Sequence, residues 1–372
     1  MKLSAIIKTY QNRFIQQYGG KISACHHKAL AAMRICRTKQ SPKMLTSCNE
    51  CDHEVYVPHS CGHRNCPHCQ AHEGQQWLER QLKKQVPAEY FLVTFTLPAQ
   101  FRKLFWNHQK ILYALLIRCA WETLKTFSQN DAQLQGIPGA IAVLHTHARD
   151  LQFHPHVHIV IPAASIDKGK RLWRCKTFQE GEKHYLFNHK ALAKVFRAKI
   201  LDGICKLGLA LPVSYPEKWV VDCKSVGSGE KALIYLGRYL YRGVIQEKDI
   251  VSEKDGYVTY RFQNSKTKKT EYRKVTGEEF LWLILQHILP KGFRRARNFG
   301  FLHPNSKQLI QVLQLKFNLD PNRALAWMRE RPKMVCSCCG GVMNIIKTRI
   351  KSVFEDRLSE PVIEMLMPGS MS

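Results

Sequence analysis

One segment constrains the fold of this chain more than any other: residues 154–162, His-Pro-His-Val-His-Ile-Val-Ile-Pro. Polar and apolar residues alternate and then give way to β-branched ones, a pattern that predicts a β-strand entering a sheet core. Side chains alternate along a strand, so His156 and His158 lie on one face, about 7 Å apart, with Val157 and Ile159 on the other. Two imidazoles at that spacing can bind one metal ion, although a lone His-x-His pattern also occurs on polar strand faces without metal.

A second segment, residues 234–242, carries tyrosines at helical spacing. Tyr235 and Tyr239 are four residues apart, so their hydroxyls lie on the same face of a helix, one turn from each other. Tyr241 would point away from that face and is expected to pack. Tyrosines at this spacing usually belong to a core, but a histidine pair combined with a tyrosine pair is rare and favours a functional site.

The chain of 372 residues has 57 Lys and Arg against 29 Asp and Glu, a formal net charge of +28. An excess this large predicts a polyanionic partner, nucleic acid first, with strongly salt-dependent binding. No apolar run reaches the roughly 18 to 20 residues of a membrane span, and the start is too weakly apolar for a signal peptide. We therefore expect a cytoplasmic protein, in which the 14 cysteines are metal ligands or buried thiols rather than disulfides.

The densest cysteine region predicts a zinc module. Cys48 and Cys51 form one Cys-x2-Cys pair and, after fourteen intervening residues, Cys66 and Cys69 form another, close to the pattern of a four-cysteine zinc ribbon. A closed four-thiolate site leaves no position for water, so this zinc is expected to be structural. Basic residues and histidines around the module favour a role in holding DNA.

Other cysteines do not fit this single site. Cys36, Cys61 and His63 could form part of a second site or could simply pack. Cys336 and Cys339 make a further Cys-x2-Cys pair, but no His or Cys follows them in the sequence. The pattern therefore predicts only half a metal site near the end of the chain.

The remaining patterns predict both helices and strands after the small zinc-binding module. Residues 139–147 are predicted to form a strand that pairs with residues 154–162 in an antiparallel hairpin, which would bring His145 or His147 beside the histidine pair. His145-Thr146-His147 is also a competing metal pair. Residues 101–128 are predicted to form one amphipathic helix, and residues 165–190 a loop with an edge strand.

The sharpest basic cluster follows the last predicted helix of the middle region. Its cations are Lys291, Arg294, Arg295 and Arg297, with Phe293 and Phe299 among them. Aromatic rings between arginines suit base stacking and phosphate contact with a single strand of nucleic acid. A solvated basic turn is the alternative.

Together these residues resemble a known family. His156-Val157-His158 is similar to the His-hydrophobe-His motif of the HUH endonucleases, and Tyr235 with Tyr239 resembles the tyrosine pair of their two-tyrosine transposases. More specifically, the chain looks like the insertion-sequence-ninety-one-type transposases, in the family's order and over nearly its whole length. The segments that carry this likeness are the cysteine-rich start, Phe95-Thr96-Leu97-Pro98, His154-Pro155-His156-Val157-His158 and Leu289-Pro290-Lys291-Gly292-Phe293-Arg294-Arg295.

The resemblance implies a rolling-circle transposase, which nicks DNA at an element end, becomes linked to the 5′ phosphate through tyrosine and leaves a free 3′ hydroxyl. It makes Tyr235 and Tyr239 the nucleophiles and His156 and His158 ligands of Mg²⁺ or Mn²⁺, with no nucleotide cofactor. Related relaxases supply a further histidine from upstream, which favours His145 over its rivals His147, Gln152 and His154. Imidazole ligands alone would favour manganese or zinc, so the identity of the ion stays open.

The resemblance also implies an α+β fold of the HUH endonuclease type, with a central antiparallel sheet that carries the histidines, flanking helices and the small zinc-binding module in front. It implies a division of the chain as well. Residues 1–85 would be a helical, zinc-binding and DNA-binding module, residues 86–300 an HUH-type catalytic domain, and residues 301–372 a basic segment with the cysteine half-site. The expected partner is single-stranded DNA at element ends, at the bacterial nucleoid. Arg238 and Arg242, one helical turn apart, are expected to contact its phosphates.

Two alternatives remain. The first is another HUH enzyme, a plasmid replication initiator or a relaxase, with the same cleavage but a different DNA partner. The second is a zinc-stabilised DNA-binding protein without catalysis, in which the tyrosines are core residues and the histidines a polar face. The joint occurrence of both pairs favours an enzyme, and the zinc-rich start and the Leu-Pro-Lys-Gly-Phe-Arg-Arg segment favour the transposase.

Overall fold

The computed structural model describes residues 1–67, 69, 71–167, 169–170, 172–178, 185–241, 243–264, 267–327 and 333–350. Its helices are α1 Leu3–Tyr18, α2 Ala24–Ile35, α3 Ala71–Leu82, α4 Arg102–Asn107, α5 Gln109–Asn130, α6 His189–Lys206, α7 Glu230–Tyr241, α8 Gly277–Leu285 and α9 Lys307–Lys316. Its strands are β1 Lys43–Cys48, β2 Glu54–Pro58, β3 Tyr90–Thr96, β4 Ile137–His147, β5 Phe153–Pro162, β6 Ala164–Asp167, β7 Leu172–Cys175, β8 Val220–Ser225, β9 Ile250–Lys254, β10 Tyr257–Gln263, β11 Thr270–Thr276, β12 Ala296–Gly300 and β13 Met343–Ile350.

A seven-stranded antiparallel sheet forms the centre of the molecule, in the order β7-β6-β4-β5-β3-β8, with β12 paired to β4 as well. The neighbours β4 and β5 form the predicted hairpin, in which Ile141 faces Val160 and His145 faces His156. Strand β12 runs along β4 from Val143 to Gly139, beside the short pairing of β4 with β6. The predicted α+β fold with a central antiparallel sheet is confirmed.

The two faces of this sheet are covered differently. On one face, Leu144, Val157 and Ile159 belong to a large core that contains residues of α5 and α6. On the other, Val143 and Val160 pack in a second core that contains residues of α3 and α7. Because strand side chains alternate, the histidines of β4 and β5 that follow the second set face α7. The predicted split of His156 and His158 from Val157 and Ile159 is confirmed.

Helix α7 is held against the sheet by one apolar stripe, formed by Ala232, Leu233, Leu236 and Leu240. The helix begins just after Gly229, whose φ of +89° is left-handed and whose added Cβ would lie 2.7 Å from the Tyr90 ring. On its outer side α7 packs against α3, where Gly237 lies close to Trp77. These contacts fix the helix over the end of the β4–β5 hairpin that carries the histidines.

Smaller units surround this core. Helix α1 packs against α8, and β9, β10 and β11 form a three-stranded sheet next to them. A second three-stranded sheet has the order β13-β1-β2, so the last described strand pairs with the first strand of the chain. The domain limits at residues 85 and 300 stay predictions, but the C-terminal strand does not stand apart from the N-terminal module.

Two local predictions need correction. The helix expected over residues 101–128 is broken at His108, whose φ of −125° and ψ of 40° are not helical, so it becomes α4 and α5. The segment expected as a loop with one edge strand contains both β6 and β7. None of the helices in the described parts of the chain is long and apolar enough to cross a membrane.

Candidate active site

Three histidines meet on the α7 face of the sheet. His145 of β4 lies directly opposite His156 of β5. His158 lies opposite Val143, which is two residues before His145 on the same face of β4. The His145 ring centroid is 5.1 Å from that of His156 and 4.1 Å from that of His158, and the β5 pair is 5.0 Å apart. One ligand nitrogen from each ring lies within 4.8 Å of the other two, as a shared metal ion requires.

The hydrogen bonds of these rings suit metal binding. Nδ1 of His156 lies 2.7 Å from the carbonyl oxygen of His154, so it carries the proton and leaves Nε2 with a free lone pair. Nδ1 of His158 is held 2.9 Å from the Thr94 hydroxyl. Nε2 of His145 is buried and has no hydrogen-bond partner in the described structure. A buried nitrogen without a partner is costly, and a metal ion at the centre of the group would satisfy it.

The electrostatics keep all three imidazoles neutral. Burial is the main cause of a lowered pKa for each: well below the usual range for His145, about 3 for His156 and about 4 for His158. Repulsion between a charged ring and the neighbouring histidines lowers the pKa of His145 and His156 further. At neutral pH each ring is therefore in its neutral form, with one nitrogen free of a proton, which is the form that binds metals.

The two tyrosines of α7 both approach this group, but in different environments. The Tyr235 side chain is 47% exposed, and its ring centroid is 6.0 Å from that of His158 and 6.2 Å from that of His145. Tyr239 stacks on His145 with ring centroids 3.2 Å apart. Its hydroxyl accepts a 3.2 Å hydrogen bond from the Thr146 backbone N–H and lies 2.8 Å from Nδ1 of His147. Tyr235 is thus open to a substrate, whereas Tyr239 is already engaged.

Neither tyrosine is ionised at neutral pH in this site. Burial raises the pKa of Tyr235, and it raises that of Tyr239 to about 12, despite the opposing effect of the Arg295 charge. A neutral phenol is a weak nucleophile, so attack on a phosphate needs help from an electrophile or a base.

The rival third ligands have other contacts. His147 contacts Tyr239 as described, and Nδ1 of His154 lies 3.1 Å from the Arg102 guanidinium. Gln152 is exposed in the turn between β4 and β5. His145, rather than any of these rivals, therefore lies with His156 and His158. Sequence reasoning missed Thr94 and the bond between His147 and Tyr239, because both depend on strand register and helix placement.

The basic residues predicted to bind DNA are divided among different environments. Arg238, Lys291 and Arg294 are exposed, and Arg242 lies outside the described residues. Arg294 and Arg297 line a cavity of about 1070 Å³ together with the cations Arg80, Lys84 and Lys110. This cavity, the basic groove, has no acidic residue in its lining.

Arg295 is different from the other cations. Its guanidinium lies 5.5 Å from the centre of the Tyr239 ring, and its Nε and Nη2 are buried without hydrogen-bond partners in the described structure. Burial lowers its pKa from the usual value. It is a cation placed at the candidate site, not on a solvated turn.

The expected stacking role of the phenylalanines in this region is not supported. Phe293 is buried and packs edge-on against Tyr113 at 5.7 Å. Phe299 stacks on Trp121 with centroids 4.9 Å apart. Both rings serve the protein's own packing, so the groove offers cations rather than free aromatic platforms.

The cysteines are grouped differently from the prediction. Cys66 and Cys69 lie with Cys36 and Cys61, which the sequence pattern had left over. The other predicted pair, Cys48 and Cys51, lies with the C-terminal pair, Cys336 and Cys339. The single site of Cys48, Cys51, Cys66 and Cys69 is therefore corrected to two clusters, because β13 pairs with β1 and brings the preceding Cys336 and Cys339 to it. His63 belongs to neither group.

Two family models match this chain. The model described as "Transposase zinc-binding domain" matches residues 6–97, and the model described as "Putative transposase" matches residues 139–309. The first contains six of the eight clustered cysteines, and the second contains the histidine group and both tyrosines.

Curated relatives agree with these models. The chain is 28% identical over 326 residues to "Putative transposase y4qJ" of Sinorhizobium fredii, across 81% of this chain and 80% of the relative. It is 27% identical over 268 residues to the transposase for insertion sequence element IS801 of Pseudomonas savastanoi pv. phaseolicola, across 68% of this chain and 64% of the relative.

Solved structures of the conjugative relaxase TrwC show a weaker likeness. TrwC complexed with a 27-mer DNA comprising the recognition hairpin and the cleavage site is 12% identical, with a TM-score of 0.25 over 62% of this chain and 74% of that one. The metal-free complex of TrwC with OriT DNA is 14% identical, with a TM-score of 0.27 over 62% and 72%. TM-scores this low do not establish a common fold. The two family models and the curated relatives do agree: the chain belongs to the IS91 family of insertion-sequence transposases.

Proposed function

We propose that this transposase cuts and rejoins single-stranded DNA at insertion-element ends through a 5′-phosphotyrosine intermediate, as rolling-circle transposition requires. The observation that carries the proposal is the position of Tyr235, exposed to solvent and 6.0 Å from the ring of His158 in a group of three neutral histidines. A tyrosine that served only in core packing would not be exposed beside Nε2 of His145, which has no hydrogen-bond partner among the described residues.

The chemistry needs little beyond these residues. The Tyr235 oxygen attacks the scissile phosphorus in line: its O–H bond breaks as the new O–P bond forms, and the bond from phosphorus to the 3′ oxygen breaks. The phenolic proton passes through solvent to the 3′ oxygen, which leaves as a hydroxyl. Mg²⁺ or Mn²⁺ held by His145, His156 and His158 would polarise the phosphate and stabilise its developing charge. The reverse attack by a 3′ hydroxyl rejoins a strand, and since the ester conserves the bond energy no nucleotide cofactor is needed.

Tyr239 can serve the second cleavage that transposition requires. Its hydroxyl lies 2.8 Å from Nδ1 of His147, a neutral ring that can accept the phenolic proton. Arg295 lies beside it, with two buried nitrogens that have no partner in the described part of the chain, and a phosphate oxygen would satisfy them. Two nucleophiles allow one to hold the first cleaved end while the other cuts the second.

The polarity of the covalent link provides the direct test. Oligonucleotides that tile the DNA on both sides of the gene would be labelled at either the 3′ or the 5′ end and incubated with protein and Mn²⁺ or Mg²⁺. On a denaturing gel, a 3′ label should migrate with the protein and a 5′ label should appear as a shortened strand. Binding of these strands without any adduct would support the non-catalytic DNA-binding protein instead.

The basic groove gives a second prediction. Replacing Arg294 or Arg297 by alanine should each reduce the slope of log affinity against log salt by roughly 0.7, since each phosphate contact on a single strand releases about that fraction of a counterion. Fluorescence anisotropy with a labelled single strand between low and moderate salt measures it. Lys194→Ala on the exposed side of α6, outside the groove, is the control. If all three variants have the same slope of log affinity against log salt, the basic groove does not bind DNA.

A further inference from the structure

The two cysteine clusters both have the dimensions of a zinc site. The first cluster consists of Cys36, Cys61, Cys66 and Cys69. Sγ of Cys69 lies 3.5 Å from Sγ of Cys36 and 3.5 Å from Sγ of Cys61, and Sγ of Cys66 lies 3.5 Å from Sγ of Cys36. In the second cluster, Cys48 lies 3.4 Å from Cys339 and Cys51 lies 3.7 Å from Cys336. A Zn–S bond of about 2.3 Å places the sulfurs of a tetrahedron about 3.8 Å apart. These separations fit shared coordination and are far too long for disulfide bonds of about 2 Å.

Backbone hydrogen bonds in the second cluster also prepare its sulfurs for a cation. The N–H of Glu50 donates to Sγ of Cys48 at 3.4 Å. On the other pair, the N–H groups of Cys338 and Gly341 donate to Cys336 and Cys339 at 3.3 and 3.4 Å. In each case the donor lies two residues after the cysteine, so both turns fold around the sulfur and stabilise its thiolate form.

The strand that delivers the second pair has little else to hold it. Strand β13 pairs with β1 from Cys48–Met343 to Lys43–Ile350, with irregular register near Leu45. Its residues are mostly exposed, and the buried apolar cluster at this end consists of Cys48, Cys336 and Met343. A core that small cannot offset the conformational entropy of ordering a strand, whereas metal binding can.

We propose that the chain carries two structural zinc sites, and that the second is built from both ends of the chain, by Cys48 and Cys51 with Cys336 and Cys339. The matched zinc-binding domain ends at residue 97 and does not include the C-terminal pair. The second zinc joins residues 285 positions apart and fixes β13 as the edge strand of the N-terminal sheet. This inference does not depend on the proposed cleavage reaction.

Zinc counting tests the proposal on the full-length protein. Purified under reducing conditions, the wild type should release two zinc ions per chain, measured by elemental analysis and by a colorimetric chelator after thiol modification. Cys339→Ser should retain one. Cys338→Ser is the matched control, because Cys338 is an exposed neighbour outside the cluster, and should retain two. One zinc in the wild type, or two in Cys339→Ser, would overturn the proposal.

Hydrogen exchange separates loss of the site from general misfolding. In Cys339→Ser, amides of residues 343–350 should exchange much faster than in the wild type, while those of β4 and β5 keep their protection. If residues 343–350 stay protected in a variant with one zinc, the metal does not hold the strand, and this part of the proposal fails.

Discussion

Replacing Tyr235 by phenylalanine should reduce formation of the covalent DNA adduct by about 10³-fold or more, because the first nucleophile is removed while its ring remains. Tyr235 is the exposed tyrosine beside the histidine group, and its hydroxyl forms no hydrogen bond with the described residues that the substitution would break. The rate of label transfer to protein, under single-turnover conditions with a 3′-labelled strand, measures the effect. Folding and zinc content should be unchanged.

Tyr239→Phe should behave differently, since its hydroxyl is already bonded to Thr146 and His147. We expect the first adduct to form within about tenfold of the wild-type rate, but joining of a second end to fail. Tyr272→Phe, an exposed tyrosine of β11, is the matched control and should be fully active. If Tyr239→Phe abolishes the first adduct and Tyr235→Phe does not, the roles assigned to the two tyrosines are reversed.

Loss of a histidine from the group should be nearly as severe. His156→Ala or His158→Ala should lower the metal-dependent adduct rate by about 10² to 10⁴, because an ion that contributes several kcal/mol of charge stabilisation loses a ligand. His145→Ala should have a comparable effect if its unpartnered Nε2 binds the same ion. Isothermal titration with Mn²⁺, alongside the rate with Mg²⁺ and Mn²⁺, measures both consequences.

Graded controls make this test specific. Thr94→Ala removes the hydroxyl that orients His158 and should cost about 10- to 100-fold, less than loss of the ring itself. His27→Ala removes an exposed imidazole of α2 and should have no effect. Full metal-dependent activity in His156→Ala would exclude the histidine group as the metal site, even if the tyrosine predictions hold.

The part of the site that sequence could predict follows from periodicity. His156 and His158 share a face because strand side chains alternate, and Tyr235 and Tyr239 share one because helical turns repeat. The choice among His145 and its rivals depended on the pairing register and on the irregularity between His145 and His147. Register is fixed by the packing of whole strands, which no local pattern contains.

The cysteine grouping shows the complementary limit. Spacing identified each Cys-x2-Cys pair, since a turn around one sulfur is a local structure. Which pairs share an ion depends on the β1–β13 pairing, between segments at opposite ends of the sequence. Similarly, composition indicated many cations, but only tertiary packing distinguishes Arg295, whose Nε and Nη2 are buried, from the exposed Arg294.

The pairing of β1 with β13 also orders events during synthesis. A ribosome adding about 5 to 20 residues per second needs roughly 15–60 s to pass from Cys51 to Cys336, which are 285 residues apart. Throughout that time β1 has an open edge and half of its cysteine cluster. The N-terminal sheet therefore reaches its final form only after residues 343–350 have been synthesised, and a chain that stops before them would leave that edge exposed to proteases and to other strands.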